Sequence, residues 1–407
     1  MDSRQASGAS TDRYNRKKEA ILAAAAGILN RRGVRGMTLA DVAASVDLIT
    51  TSVTYYFKKK EDLAVACYLR GIARFDALIA AALQEETSPA RLLKFLDLYL
   101  ALHRRIRLGE EAPIAVFSDI RALKEPHLPI VAKAYAQFFR KVRSLFRSPG
   151  HEWLDRRMAT ARTHMLMEQM YWAVAWLPRY DPDDYGRVRD RMFDIMAHGV
   201  APAGAAWTPA RLPETTPDPQ DSPRETFLTA ATRLINQRGY RGASVERISE
   251  QLNVTKGSFY HHNDGKDDLV VQCFERSFAA MRRVQSAALV EPGDYWHKIS
   301  SAAATLVEFQ LSERGPLLRS SALAALPEPM RRAMVERANR VSERFAAMIS
   351  DGVAQGSIRA VDPYIAAQML NATLNAASDL PFTIPDVAAA EAPALYAKPM
   401  LMGVFSR

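Results

Sequence analysis

The sequence predicts an all-α fold. Three observations carry that reading. Apolar residues recur at helical spacing through most of the chain, no segment shows the alternation of a strand or the turn of a hairpin, and the chain repeats itself. Shifted by 206 residues, Glu19–Leu83 aligns with Glu225–Leu289 without a gap, and 20 of the 65 positions are identical, where roughly four are expected by chance. The shared residues include Asn30, Arg32, Gly33, Arg35 and Gly36 against Asn236, Arg238, Gly239, Arg241 and Gly242. Ser52, Lys60, Asp62, Leu63 and Cys67 likewise match Ser258, Lys266, Asp268, Leu269 and Cys273. The period is too long for a solenoid, so the chain holds a duplicated helical unit.

The first helix of each copy has one apolar face, Ile21, Leu22, Ala25, Ile28 and Leu29 in copy one and Phe227, Leu228, Ala231, Leu234 and Ile235 in copy two. The glycines of RRGVRG and QRGYRG end it, because glycine takes the positive φ that a chain reversal needs. Thr38 and Ser244 then stand where a hydroxyl can cap a short helix. That helix turns Leu39, Val42, Ala43 and Val46 inward, as Val245, Ile248 and Leu252 do in copy two. Asp47 and Asn253 suit the left-handed position of a tight turn. A second short helix follows, TTSVTYYF or KGSFYHHN. Later stretches, Ala90–Leu108, Ile130–Phe146, Leu154–Leu177 and Met330–Ile349, also keep helical spacing. Between the copies, prolines from Pro202 to Pro223 block helix and favour extended chain. Residues 201–222 therefore read as a semi-rigid linker able to span about 65–70 Å and join distant faces. The expected division is a first head at 13–75, a helical domain at 76–200, that linker, a second head at 223–281 and a second helical domain at 282–407.

Composition narrows the function classes. The 407 residues are 48% apolar and 24% charged, which suits a globular protein. Two cysteines, Cys67 and Cys273, cannot build a disulfide scaffold or a structural zinc site. Both fall four residues after a leucine on an inward helical face, so they read as small buried hydrophobes. The polar, basic start lacks a secretory core, and the longest apolar runs are too short for a bilayer. A cytoplasmic chain with no membrane role is expected. Net charge is +9, and all of it lies in the first half: residues 1–206 hold 32 basic and 23 acidic residues, the remainder 22 of each. Such an excess suits a polyanion. No phosphate loop, paired carboxylates or nucleophile elbow appears, and the adjacent His261 and His262 do not share a helix face as zinc ligands would. No enzyme, metal or cofactor is expected.

Two short helices joined by a tight turn match a helix-turn-helix, whose second helix enters the DNA major groove. Here its outward residues are hydroxyls, rings and a lysine: Thr50, Thr51, Ser52, Thr54, Tyr55 and Tyr56, against Lys256, Ser258, Tyr260, His261 and His262. These suit phosphates and base edges, and Lys60 and Lys266 are placed for a phosphate. The second copy's VTKGSFYHHNDGKDDL resembles the DNA-binding head of the TetR family of bacterial transcriptional regulators, which usually reads GVSKGSLYHHF before a lysine and a leucine. It departs at Asn263, where the family buries an aromatic. Copy one is looser, with Ile49 at the usual cap, Thr50 at the usual lysine and Thr54 at the usual tyrosine. Gly352–Asn375 also resembles the family's later helices.

The resemblance implies a DNA-binding regulator, a ligand-responsive repressor, with Thr38, Thr50, Thr51, Ser52, Thr54, Tyr55, Tyr56 and Lys60 reading double-stranded operator DNA. The arm Arg13, Arg16, Lys17 and Lys18 joins them. In copy two the same role falls to Ser244, Thr255, Lys256, Gly257, Ser258, Tyr260, His261 and Lys266. The heads are electrically unequal: residues 13–74 hold 12 basic and 5 acidic residues, residues 219–280 hold 8 of each. The first half-site is thus expected to dominate, on an operator that is not a good palindrome. Family members pair through two helices each. Leu154–Leu177 with Asp183–Gly199, and Asp362–Ser378 with the segment near Ala392–Val404, would let the copies pair within one chain as a pseudo-dimer, the alternative being a homodimer. A small apolar effector would act on a pocket lined by Phe117, Met165, Met170 and Trp172, although such residues at helical spacing are more often core. The rival reading is a ligand-binding or protein-interaction module with one or both heads vestigial.

Overall fold

A computed structural model of the chain describes residues 3–117, 120, 123–213, 222–242, 245–251 and 265–407. These form two compact units, one of residues 1–78 and 102–140, the other of 79–101 and 141–407. Every regular element among the described residues is helical, as the spacing predicts.

Unit one is built from α1 (Ser3–Gly36), α2 (Leu39–Ala44), α3 (Thr50–Tyr56) and most of α4 (Lys60–Ala82), with the end of α5 (Ser88–Arg107) and most of α6 (His127–Arg143). The apolar face read from the sequence is its core: Ile21, Leu22, Ala25 and Leu29 are buried with Val42, Val53, Leu63 and Cys67. Phe117 anchors a second cluster, its ring 6.3 Å from Tyr68 and 6.0 Å from both Phe75 and Tyr135.

Unit two contains α7 (Arg156–Trp176) and α8 (Tyr185–His198) from copy one. From copy two it has α9 (Ser222–Gly242), α10 (Val245–Gln251), α11 (Lys266–Val290), α12 (Tyr295–Leu311), α13 (Glu328–Gln355) and α14 (Pro363–Ala376). A π-helical turn at Pro393–Ala397 leads into α15 (Lys398–Met402). Helices α7 and α14 start alike, because Asp155 accepts from the Met158 N–H and Asp362 from the Ile365 N–H. They pack together across the two copies. Gln169 Nε2 donates to the Met369 carbonyl at 2.9 Å and to Thr373 Oγ1 at 3.0 Å, and Trp172 Nε1 donates to Gln368 Oε1 at 2.9 Å.

The described part of the inter-copy connection is a strap rather than a free spacer. The N–H groups of Val200 and Ala201 donate to the Leu401 carbonyl, the Trp207 ring lies 6.3 Å from Trp296, and Ala210 N–H donates to Ser301 Oγ at 2.8 Å. Leu212 is buried. The chain turns at Pro202–Ala205, where Gly204 takes φ 75°, and then lies against α12 through Trp207 and Ala210, so contact outweighs free reach.

Candidate nucleic-acid interface

Gly33 adopts φ 63°, so α1 bends there, and Gly239 repeats the bend in α9 at φ 69°. Thr38 caps α2 by accepting from the Asp41 N–H at 3.0 Å. Helix α2 buries Val42 and Ala43, and Asp47 takes the left-handed position (φ 53°) that ends the turn. Leu48 N–H closes it on the Ala43 carbonyl at 2.9 Å. Helix α3 then buries Val53 and Phe57 and turns its other faces outward. Its cap, Ile49, makes no side-chain cap bond and is 71% exposed.

Thr38, Thr50, Thr51 and Tyr55 are exposed, whereas Ser52, Thr54, Tyr56 and Lys60 are half-buried. The Thr54 hydroxyl donates to the Thr51 carbonyl at 2.9 Å, and so serves the helix itself. The Tyr56 ring packs against Tyr14 at 4.8 Å and Tyr55 at 5.3 Å, fastening the basic arm to α3. On that arm Arg13, Arg16 and Lys17 are exposed and Lys18 is half-buried. Lys58 and Lys59, just ahead of Lys60, are both exposed. The sequence reading passed over them because only Lys60 has a counterpart lysine in copy two.

In the second head, Ser244, Thr255, Lys256, Gly257, Ser258, Tyr260 and His261 lie outside the described residues, as do Leu252 and Asn253. Lys266 opens α11, half-buried. What is described repeats head one closely. Cys67 Sγ lies 3.7 Å from the Leu22 carbonyl, and Cys273 Sγ lies 3.7 Å from that of Leu228. Burial pushes the first thiol up to about 12 and the second to about 11, so neither is a reactive thiolate.

A joint between each head and the segment after it went unread in the sequence. Asn30 Nδ2 donates to the Ile114 carbonyl, and its Oδ1 accepts from the Val116 N–H, both at 2.8 Å. Asn236 does the same with Leu317 and Arg319, at 2.9 and 3.0 Å. Arg70 pairs with Glu19 and reaches the Pro113 carbonyl; Arg276 pairs with Glu225 and reaches that of Pro316. The side chain of Arg276 is 3% exposed, that of Arg70 27%. In head one the joint borders a polar cleft of about 250 Å³ lined by Glu19, Arg70, Arg74, Glu111, Ala112 and Ile114. All six clamp residues are identities of the repeat, which was the available signal.

Of the expected effector-pocket residues, Phe117 belongs to the aromatic cluster of unit one. Met165 and Met170 are buried on α7 in unit two, where the Met170 carbonyl accepts from the Tyr99 hydroxyl at 2.6 Å. Trp172 is half-buried on the same helix. Among the described residues no cluster of metal-ligating side chains occurs, and no helix is long and apolar enough to cross a membrane.

The model of "Bacterial regulatory proteins, tetR family" matches residues 21–67 and again 227–273, the same helices at the same 206-residue offset. That of "Tetracyclin repressor-like, C-terminal domain" matches residues 292–379. The chain belongs to the TetR family. It is similar to the HTH-type transcriptional repressor DhaR of Mycobacterium sp. (strain GP1), 27% identical over 139 residues that are 33% of this chain and 70% of that protein. It is similar as well to the repressor NemR of Escherichia coli (strain K12), 29% identical over 135 residues, 32% of this chain and 68% of the other. A TetR family regulator from Thermus thermophilus, PfmR, aligns over 44% of this chain and 99% of its own at 21% identity, TM-score 0.37. This TetR-family chain is thus a DNA-binding regulator that carries the family's amino-terminal domain twice.

Proposed function

We propose that the chain is a ligand-responsive repressor whose two copies pair with each other, presenting two unlike heads to one operator. One observation carries the pairing. Gly199 lies so close to copy two that a Cβ there would collide with the Leu401 carbonyl oxygen, and a Cβ on Gly403 would collide with that of Ala197. The contact is reciprocal: residue 199 of one copy approaches 401 of the other, and 403 approaches 197. Reciprocity of this kind is the mark of a two-fold, isologous interface. The Val404 N–H donating to the Met196 carbonyl at 2.8 Å, beside the Val200 bond to Leu401, belongs to the same crossing.

DNA is read by Thr38, Thr50, Thr51 and Tyr55 on the exposed side of head one, with Arg13, Arg16, Lys17, Lys58, Lys59 and Lys60 on phosphates. Helix α4 carries this head directly into the cleft-bordering clamp, so a small apolar effector that moves the following helices moves the head. The effector and the repressor role follow from the family.

Selection of bound sequences from random DNA, with light scattering of the complex, tests the proposal. One 45.3 kDa chain on a site of two dissimilar halves is expected. A perfect palindrome occupied by two chains overturns it, and the absence of salt-sensitive DNA binding overturns the reading of the heads.

A further inference from the structure

The crossing of the two copies holds one feature that its pseudo-symmetry does not explain, a buried cluster of charge. Arg319, in the loop after α12, places Nη2 2.9 Å from Glu168 Oε2 on α7 and Nη1 2.6 Å from Asp379 Oδ2 beyond α14. All three side chains are at most 16% exposed. Glu168 also lies 3.9 Å from His164 Nε2, and His164 Nδ1 is 2.8 Å from the Tyr396 hydroxyl. The cluster therefore joins Glu168 of copy one to Arg319 and Asp379 of copy two. Burying charges is costly, and such clusters seldom add stability over apolar packing, so a different role is called for.

The positions that correspond between copies supply it. Val116 is the counterpart of Arg319, since the N–H of each is held by the matching Asn30 or Asn236. Asn375 is the counterpart of Glu168, each thirteen residues past its capping aspartate. Asn375 is already committed within its own copy, accepting from the Ser320 N–H at 2.9 Å and donating to the Leu318 carbonyl at 3.0 Å. Copy one paired with a second copy one would set Glu168 against a valine and bury two carboxylates without a cation. Copy two paired with a second copy two would set Arg319 against an occupied asparagine. Only the mixed pairing gives Glu168 a guanidinium; Arg319 keeps Asp379 of its own copy in any pairing of copy two.

We propose that Glu168, Arg319 and Asp379 are a pairing key, which makes copy one accept copy two and reject a second copy one, while the tether between the copies favours the copy two of the same chain. This rests on the intrachain pairing proposed above. The other charged links across the crossing, Arg191 with Asp362, Arg359 with Asp194 and Arg157 with Glu391, lie nearer solvent and discriminate less.

The full chain tests the key. In the triple variant Glu168→Gln, Arg319→Met, Asp379→Asn, helical circular dichroism and the urea midpoint should stay near wild type, because neutral side chains replace a costly cluster. Two differently tagged full-length chains, refolded together at concentrations nearing the millimolar value that a tether imposes, should then co-purify. The two-chain mass in light scattering should rise roughly tenfold over wild type, equivalent to about 1.4 kcal/mol of lost discrimination. A triple variant as closed as wild type overturns the key. Charge reversal guards against a misfolded variant: Glu168→Arg should unfold early or scatter as two chains, and adding Arg319→Glu should restore the single-chain mass. A double variant no better than the single also overturns it. A wild-type chain that scatters as a dimer at every dilution defeats the intrachain reading itself, an outcome distinct from either of these.

Discussion

The two copies agree at the joint between head and helical domain and differ in sequence ahead of Lys60 and Lys266 and where α7 meets copy two. Asn30, Arg70 and Glu19 make the same bonds as Asn236, Arg276 and Glu225, and the two thiols sit on matching carbonyls. Yet Arg319 replaces Val116, Asn375 replaces Glu168, and Asp264 and Gly265 stand where head one has Lys58 and Lys59. The difference teaches that duplication left the mechanical joint alone, since its hydrogen bonds are geometric and local. The positions that differ carry charge, which answers to surroundings outside the joint.

The joint is where the comparison breaks most visibly. Arg276→Ala removes the donor that Glu225 and the buried Pro316 carbonyl share, and should cost about 3–5 kcal/mol in urea unfolding. Arg70→Ala, at a more exposed pair, should cost about 1 kcal/mol; equal losses would show the two joints to be mechanically equivalent after all. Next comes the crossing. Gly199→Ala combines positive φ with a carbonyl in the way and should cost about 2–4 kcal/mol, whereas Gly204→Ala, at φ 75° with nothing within 4 Å, should cost about 1 kcal/mol. A Gly199 variant no weaker than its Gly204 control would mean the helix ends do not meet.

A smaller effect is expected at the DNA face. Lys58→Ala with Lys59→Ala should weaken binding about tenfold at moderate salt and lower the slope of affinity against salt by about two phosphate contacts. An unchanged slope would remove Lys58 and Lys59 from the phosphate contacts. The mildest contrast concerns pH. Burial lowers His103 in unit one to about 4. Its neutral form is favoured by folding, so the unfolded chain binds the extra proton between its ordinary pKa and about 4, and stability is lost as pH falls through that window. His103→Gln should flatten this acid limb when followed by circular dichroism; an identical pH profile would place the loss elsewhere.

Much of head one was legible. The glycine bend, the Thr38 cap, the left-handed Asp47 and the buried cysteines are local consequences of residue type, and each lies where spacing put it. Lys58 and Lys59 were missed because matching the copies favours shared residues, and these are unshared. The strap on α12 was read as a spacer because proline density reports backbone shape, while the partners of Ala206, Trp207 and Ala210 lie some 90 residues further along the chain.

By itself, then, the sequence determined the helices, the duplication, the family and the electrical inequality of the heads, since all of these reside in short-range pattern or in simple counting. Only the tertiary structure decided what those helices do to one another: that α7 crosses to α14, that Gly199 and Gly403 admit each other's backbone, and that Arg319 closes on Glu168. Such contacts join residues some 150 to 200 positions apart. No local periodicity encodes them, because packing and desolvation are properties of the neighbours a residue acquires only when the chain is folded.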